Sequence, residues 1–127
     1  MKNTVMIIQM LARLSGGIQI ILGVLFWTGN ALGLVPVHIF FGSVLVLCLW
    51  TLAIMAGRTG VQPGLVALAL VWGLITPILG LAQAQLLVNS SHWVIQVLHL
   101  LVGMGAMGLA ENLARRIKQS QPMVLQK

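Results

Sequence analysis

Apolar residues fall in four long runs, separated by short polar or glycine-bearing breaks. The runs cover about residues 5–28, 36–56, 62–88 and 92–114, each close to the ~20 residues that carry a helix across the hydrocarbon core of a bilayer. Gly29, Asn30 and Gly33 make the first break, and Pro36 suits the opening turn of the second helix, where its missing N–H costs nothing. Arg58, Thr59 and Gly60 make the second break. Asn89, Ser90 and Ser91 end the third run, and a serine oxygen there can accept from the free amides that open the fourth helix. The pattern predicts an all-α four-helix transmembrane bundle. It is a single integral membrane domain over residues 1–127, with a basic tail at 115–127.

Composition agrees. Hydrophobic residues make up 59% of the chain and charged residues 6%, with a mean hydropathy of +1.04, more apolar surface than a domain in water needs. The net charge of +6 does not point to nucleic acid, because the cations form no face interleaved with polar contacts. They gather at helix ends instead. Lys2, Arg58, Arg115, Arg116, Lys118 and Lys127 share one side of a four-span layout, and loops 29–35 and 89–91 on the other side hold no lysine or arginine. The positive-inside bias then puts both termini in the cytoplasm, as for a multi-pass protein of the inner (plasma) membrane of a prokaryote. Trp27 and Trp93 suit the outer aromatic belt. The first run is long enough to read as a retained span.

Cysteine and the charged residues inside the runs are few. Cys48 reads as a small hydrophobe. Arg13 reads as a snorkelling side chain that reaches the cytoplasmic headgroups; the alternative pairs it with Glu111, the single acidic residue. Glu111 also has Arg115 at i,i+4.

The chain repeats itself. The segment Gly16-Gly-Ile-Gln-Ile-Ile-Leu-Gly23 matches Gly73-Leu-Ile-Thr-Pro-Ile-Leu-Gly80 at five of eight positions with an offset of 57. His38 and Gly42 map onto His99 and Gly103 with an offset of 61, one helical turn more. Two tandem helical hairpins follow, related by a pseudo-twofold axis along the membrane normal. The paired glycines suit close helix contact, within the chain or across a homodimer.

His38 and His99 carry the candidate chemistry. An intramembrane histidine is costly and so is a candidate for function, and each of these begins a His-x-x-x-Gly copy on the second helix of its hairpin. Opposed across the pseudo-twofold axis, they suit the two axial positions of a haem iron. Gly42 and Gly103, one turn along, remove side chains that would strike the porphyrin. Two imidazoles fill both axial positions, so the implied chemistry is one-electron transfer. Zinc fits poorly, since it wants four ligands. Depth adds a second possibility. His38 lies 20 residues from Arg58 and His99 lies 16 from Arg115, a mismatch of about 6 Å. His92, 23 residues from Arg115, competes as the partner of His38, although its setting beside Ser91 and Trp93 is interfacial and suits a hydrogen bond to a haem propionate. Gln83, Gln85 and Asn89 near the same end could serve propionates or a quinone headgroup. A soluble active site is not indicated, because no nucleophile has a base beside it and no acid pair or phosphate loop is present.

With His38 and His99 on alternate helices of four, the chain resembles the membrane b-type cytochromes, including anchor subunits of respiratory enzymes. Those families often carry two haems. Three histidines here allow one bis-His haem b per chain, and the resemblance implies electron exchange with a quinone or a partner redox protein; haem sensing or storage is the other role such a haem would suit. The segment Arg13-Leu-Ser-Gly-Gly-Ile-Gln-Ile-Ile-Leu-Gly-Val-Leu-Phe-Trp-Thr-Gly29 also resembles the first helix of the DoxX family, which implies a small redox-associated subunit. The alternative class is a haem-free four-span transporter or accessory subunit. Small multidrug-type transporters have this size, but they need a carboxylate in the first span, and this chain has none there.

Overall fold

The structure is a computed structural model and describes residues 1–120. Helices α1 (Lys2–Trp27), α2 (Val35–Arg58), α3 (Pro63–Ala82) and α4 (His92–Ser120) form an all-α four-helix bundle, with short 3-10 turns at Leu32–Leu34 and Gln83–Gln85. All four helices are long and apolar enough to cross a membrane.

The connections follow from local chemistry. Gly29 and Gly60 have φ of +76° and +78°, the left-handed conformation that costs glycine nothing. Each lies just past a helix end and turns the chain back. After α1, the Asn30 amide donates to the Leu25 carbonyl and the Gly29 amide to Phe26; after α2, the Val61 amide donates to Ala56. These bonds occupy carbonyls that the helix ends leave free. Prolines sit in the first turns of α2 and α3.

Two boundaries differ from those expected. The third run reaches residue 88 by hydropathy, but α3 stops at Ala82 and the 3-10 turn at Gln85. Leu86 is then extended and Leu87 has φ of +47°. Hydropathy records that these leucines tolerate lipid, and it is blind to the turn they make. The fourth helix runs on to Ser120, so residues 115–120 of the expected tail are helical. Ile117 explains this, being fully buried in the core among Leu113, Ala114 and Val5. The rest of that tail, 121–127, lies outside the described residues. The serine cap expected for α4 is also replaced: the amides of His92 and Val94 donate to the backbone carbonyls of Asn89 and Ser91.

Helices α2 and α4 meet across the centre, whereas α1 and α3 lie on opposite flanks and do not touch. Two hairpins related by a twofold axis would pack this way. The core is dense where the alanines are. Leu49, Leu52, Ala53 and Ala56 of α2 pack on Ala106, Ala110, Leu113 and Ala114 of α4, and the small side chains bring the helices close enough for dispersion to hold them. Glycines seat large neighbours. Gly16 faces the Met107 thioether, Gly73 faces the Trp50 indole and Gly105 faces the Trp72 indole. Both indole N–H groups are satisfied across helices, Trp50 at the Leu70 carbonyl (3.1 Å) and Trp72 at the Val102 carbonyl (2.9 Å).

A side chain at position 73 has no room, because even a Cβ there would overlap the Trp50 ring. Gly73→Leu is therefore expected to separate α2 from α3, at a cost of about 1–3 kcal/mol or more. The measurement is the midpoint of SDS-induced unfolding in mixed micelles, which should fall. The same substitution at Gly23, whose Cβ would meet open space, should leave it nearly unchanged.

Candidate functional site

The dense core belongs to the half of the bundle that bears the charged residues. In the other half the helices diverge around a cavity of about 510 Å³ lined by all four of them. His38, in the first turn of α2, and His99, two turns into α4, enter it from facing helices. Their ring centroids are 6.2 Å apart and their planes are inclined by 53°. Both Nδ1 atoms are buried and have no hydrogen-bond partner. Phe26 closes one side of His38 with an edge-on contact at 5.4 Å.

The one-turn depth mismatch expected between these histidines does not keep them apart: with their rings 6.2 Å apart, His38 faces His99. His92 lies at the mouth of the cavity, where its Nδ1 is 3.1 Å from the Leu86 carbonyl.

The glycines of the two His-x-x-x-Gly copies behave differently. A Cβ at Gly103 would meet nothing within 4 Å, so this notch is open. The notch at Gly42 is filled, since a Cβ there would come within 2.6 Å of the Gln19 amide nitrogen. That amide donates to the His38 backbone carbonyl at 2.5 Å. The repeat gives the cause. Thr76 takes the place of Gln19 in the second hairpin, and its short hydroxyl bonds back to the Trp72 carbonyl of its own helix. Gly42 thus lines the cavity and at the same time makes room for the Gln19 amide.

Sequence reading also missed Gly80, whose hypothetical Cβ would lie 2.9 Å from Cε1 of His99. It is the seat on which that imidazole rests. Its signal was its place as the last residue of the repeated segment, one turn beyond Thr76.

The rest of the wall is mostly apolar, with Ile20, Val24, Ile39, Leu81, Leu100 and Met104 among its side chains. Ser43 and Thr76 spend their hydroxyls on their own helices. Gln83, Gln96 and His92 supply polar groups to the cavity; Gln85 and Asn89 do not line it. No group of three or more His, Cys, Asp or Glu residues that could hold a metal ion occurs among the described residues. The available donor set is therefore two imidazoles. Such a pair can hold a metal along one axis if the ligand brings the other donors with it. Cys48 is buried in the alanine-rich core and takes no part in the cavity.

At the opposite end, Arg13 does not snorkel alone. Its Nε and Nη2 donate to the two oxygens of Glu111 at 2.5 and 2.9 Å. The Gln9 amide donates to the same carboxylate at 2.6 Å, and Lys118 donates to the Gln9 oxygen at 2.5 Å. A planar guanidinium matches a carboxylate with two parallel bonds, which the in-helix neighbour Arg115 does not make.

No protein-family model, curated protein or solved structure matches the chain. The functional reading therefore rests on the site itself.

Proposed function

We propose that the chain is a membrane b-type haem protein that holds one haem between His38 and His99 and passes single electrons. The observation that carries this reading is the opposition of the two imidazoles. Two metal–nitrogen bonds of about 2 Å, with about 1.1 Å from each nitrogen to its ring centre, would put the centroids of two imidazoles on one iron about 6.2 Å apart. The separation here is 6.2 Å. The cavity of about 510 Å³ lies within the range of cofactor sites, about 300–1,000 Å³. Its apolar wall suits a macrocycle, and Gly103 leaves a notch beside His99. Gln83, Gln96 and His92 are the groups for the propionates.

A bound haem would supply a one-electron redox centre, with His38 and His99 as the residues that would hold it. The chain's own contribution is to hold the two imidazoles apart at fixed distance, to exclude water with an apolar wall, and to keep the centre near the end of the bundle that bears no lysine or arginine. With both termini in the cytoplasm, that end is the outer half of an inner (plasma) membrane. A quinone dissolved in the bilayer, or a second redox protein, would be the electron partner.

The test is the visible spectrum of the chain purified in detergent from haem-replete cells. A low-spin reduced-minus-oxidised spectrum that carbon monoxide leaves unchanged is expected, together with reduction by a short-chain quinol. A colourless preparation would overturn the proposal. So would haem that binds carbon monoxide readily, since it would have an open axial position.

A further inference from the structure

A second cavity, of about 520 Å³, lies between α1 and α4 toward the charged end, lined by Gln9, Arg13, Gly108, Glu111, Arg115 and Lys118 among others. We propose that it binds the phosphate of an anionic phospholipid headgroup, independently of any cofactor at the histidines.

The argument begins with charge. Three cations line the groove against one carboxylate. Glu111 is already committed, with both oxygens taken by Arg13 and one of them also by Gln9. Lys118 is held by the neutral Gln9 amide oxygen and makes no ion pair among the described residues. Arg115 makes no ion pair or side-chain hydrogen bond among the described residues, whereas its neighbour Arg116 donates to Asn112 at 2.9 Å and does not line the groove. Two positive charges in excess therefore share one recess.

The surroundings make that excess costly. Arg13 is 11 residues into α1, about 16 Å along the axis, and its exposed neighbours Met10, Leu11 and Leu14 are apolar. Glu111 answers Arg13 there, and Arg115 and Lys118 in the same recess have no second carboxylate lining it. A phosphate answers them with oxygens that match the guanidinium fork, and in a bilayer the phosphate at hand belongs to a lipid. Gly108, exposed in the groove wall, leaves room there, since a Cβ would meet nothing within 4 Å. The exposed Met10, Leu11 and Leu14 offer a surface for acyl chains.

The experiment uses the full chain in dodecylmaltoside, with phosphatidylglycerol, phosphatidylcholine or inorganic phosphate added separately. Lipid retention is read by native mass spectrometry and thermal unfolding by circular dichroism. Phosphatidylglycerol should be retained in preference to phosphatidylcholine and should raise the unfolding temperature. Arg115→Ala should weaken its retention about five-fold, and Arg115→Ala with Lys118→Ala at least roughly ten-fold. Arg116→Ala, the same change of charge outside the groove, should leave retention as it was. Stabilisation by inorganic phosphate alone that is lost in the Arg115 variant would keep the phosphate site and replace the lipid as its source, overturning that part of the proposal. Equal retention of both lipids, or equal loss in the Arg115 and Arg116 variants, would overturn the site. Because Arg115→Lys keeps the charge, it should restore most of the binding and rules out a folding defect as the cause.

Discussion

His38→Ala and His99→Ala are each expected to abolish six-coordinate haem, whereas His92→Ala leaves it in place. Either ligand substitution removes one of two imidazoles whose centroids lie 6.2 Å apart, and no other histidine of the described chain enters the space between them. The remaining ring can still hold iron from one side. The variants should therefore show high-spin haem that binds carbon monoxide, or no haem at all. His92 is held at the mouth by its contact with the Leu86 carbonyl, so its loss should shift the midpoint potential and leave the low-spin spectrum intact. Optical spectra with and without carbon monoxide distinguish these outcomes. A low-spin spectrum that persists in His99→Ala would remove His99 from the site and return His92 to contention.

The second large effect comes from a residue with no polar atom in its side chain. Gly80→Leu should displace the His99 ring and convert the haem to the high-spin form, although both histidines remain. A Cβ at position 80 would stand 2.9 Å from His99 Cε1, and that contact cannot be relieved while the ring stays on the line to His38. An axial ligand must be held within about 0.5 Å of its working position. Gly103→Ala is the contrasting variant, because its new methyl group meets open space. Near-normal haem content is expected there. Pyridine haemochrome assays and low-temperature electron paramagnetic resonance check both variants, with circular dichroism confirming that each retains its helices. Unchanged low-spin haem in Gly80→Leu would mean that the imidazole does not rest on α3 as described.

The four helices could be read from the sequence because lipid imposes its demand residue by residue: a segment that spans must be apolar along its whole length. The facing of His38 and His99 was legible through the repeat, which put both on the second helix of a hairpin. What escaped depends on neighbours distant in sequence. Gly42 reads like Gly103 in a linear pattern, yet Gln19 reaches into its notch, and Thr76 is too short to do the same for Gly103. Gly80 looked like a packing glycine until His99 was found on it. That α4 continues past Arg115 was hidden by Arg115, Arg116 and Lys118, whose charges suggest a tail, while Ile117 between them is buried. Arg13 had two possible partners in the sequence, lipid and Glu111. The choice between them required knowing that α1 and α4 are neighbours.

The most direct test of the central claim is the molar ratio of haem to chain in the purified protein, measured by pyridine haemochrome against quantitative amino-acid analysis after haem-replete expression. If His38 and His99 of one chain enclose one iron, the ratio is one haem b per chain, and it is the same in monomer and dimer fractions. A ratio near zero, or one haem per two chains, would contradict that account.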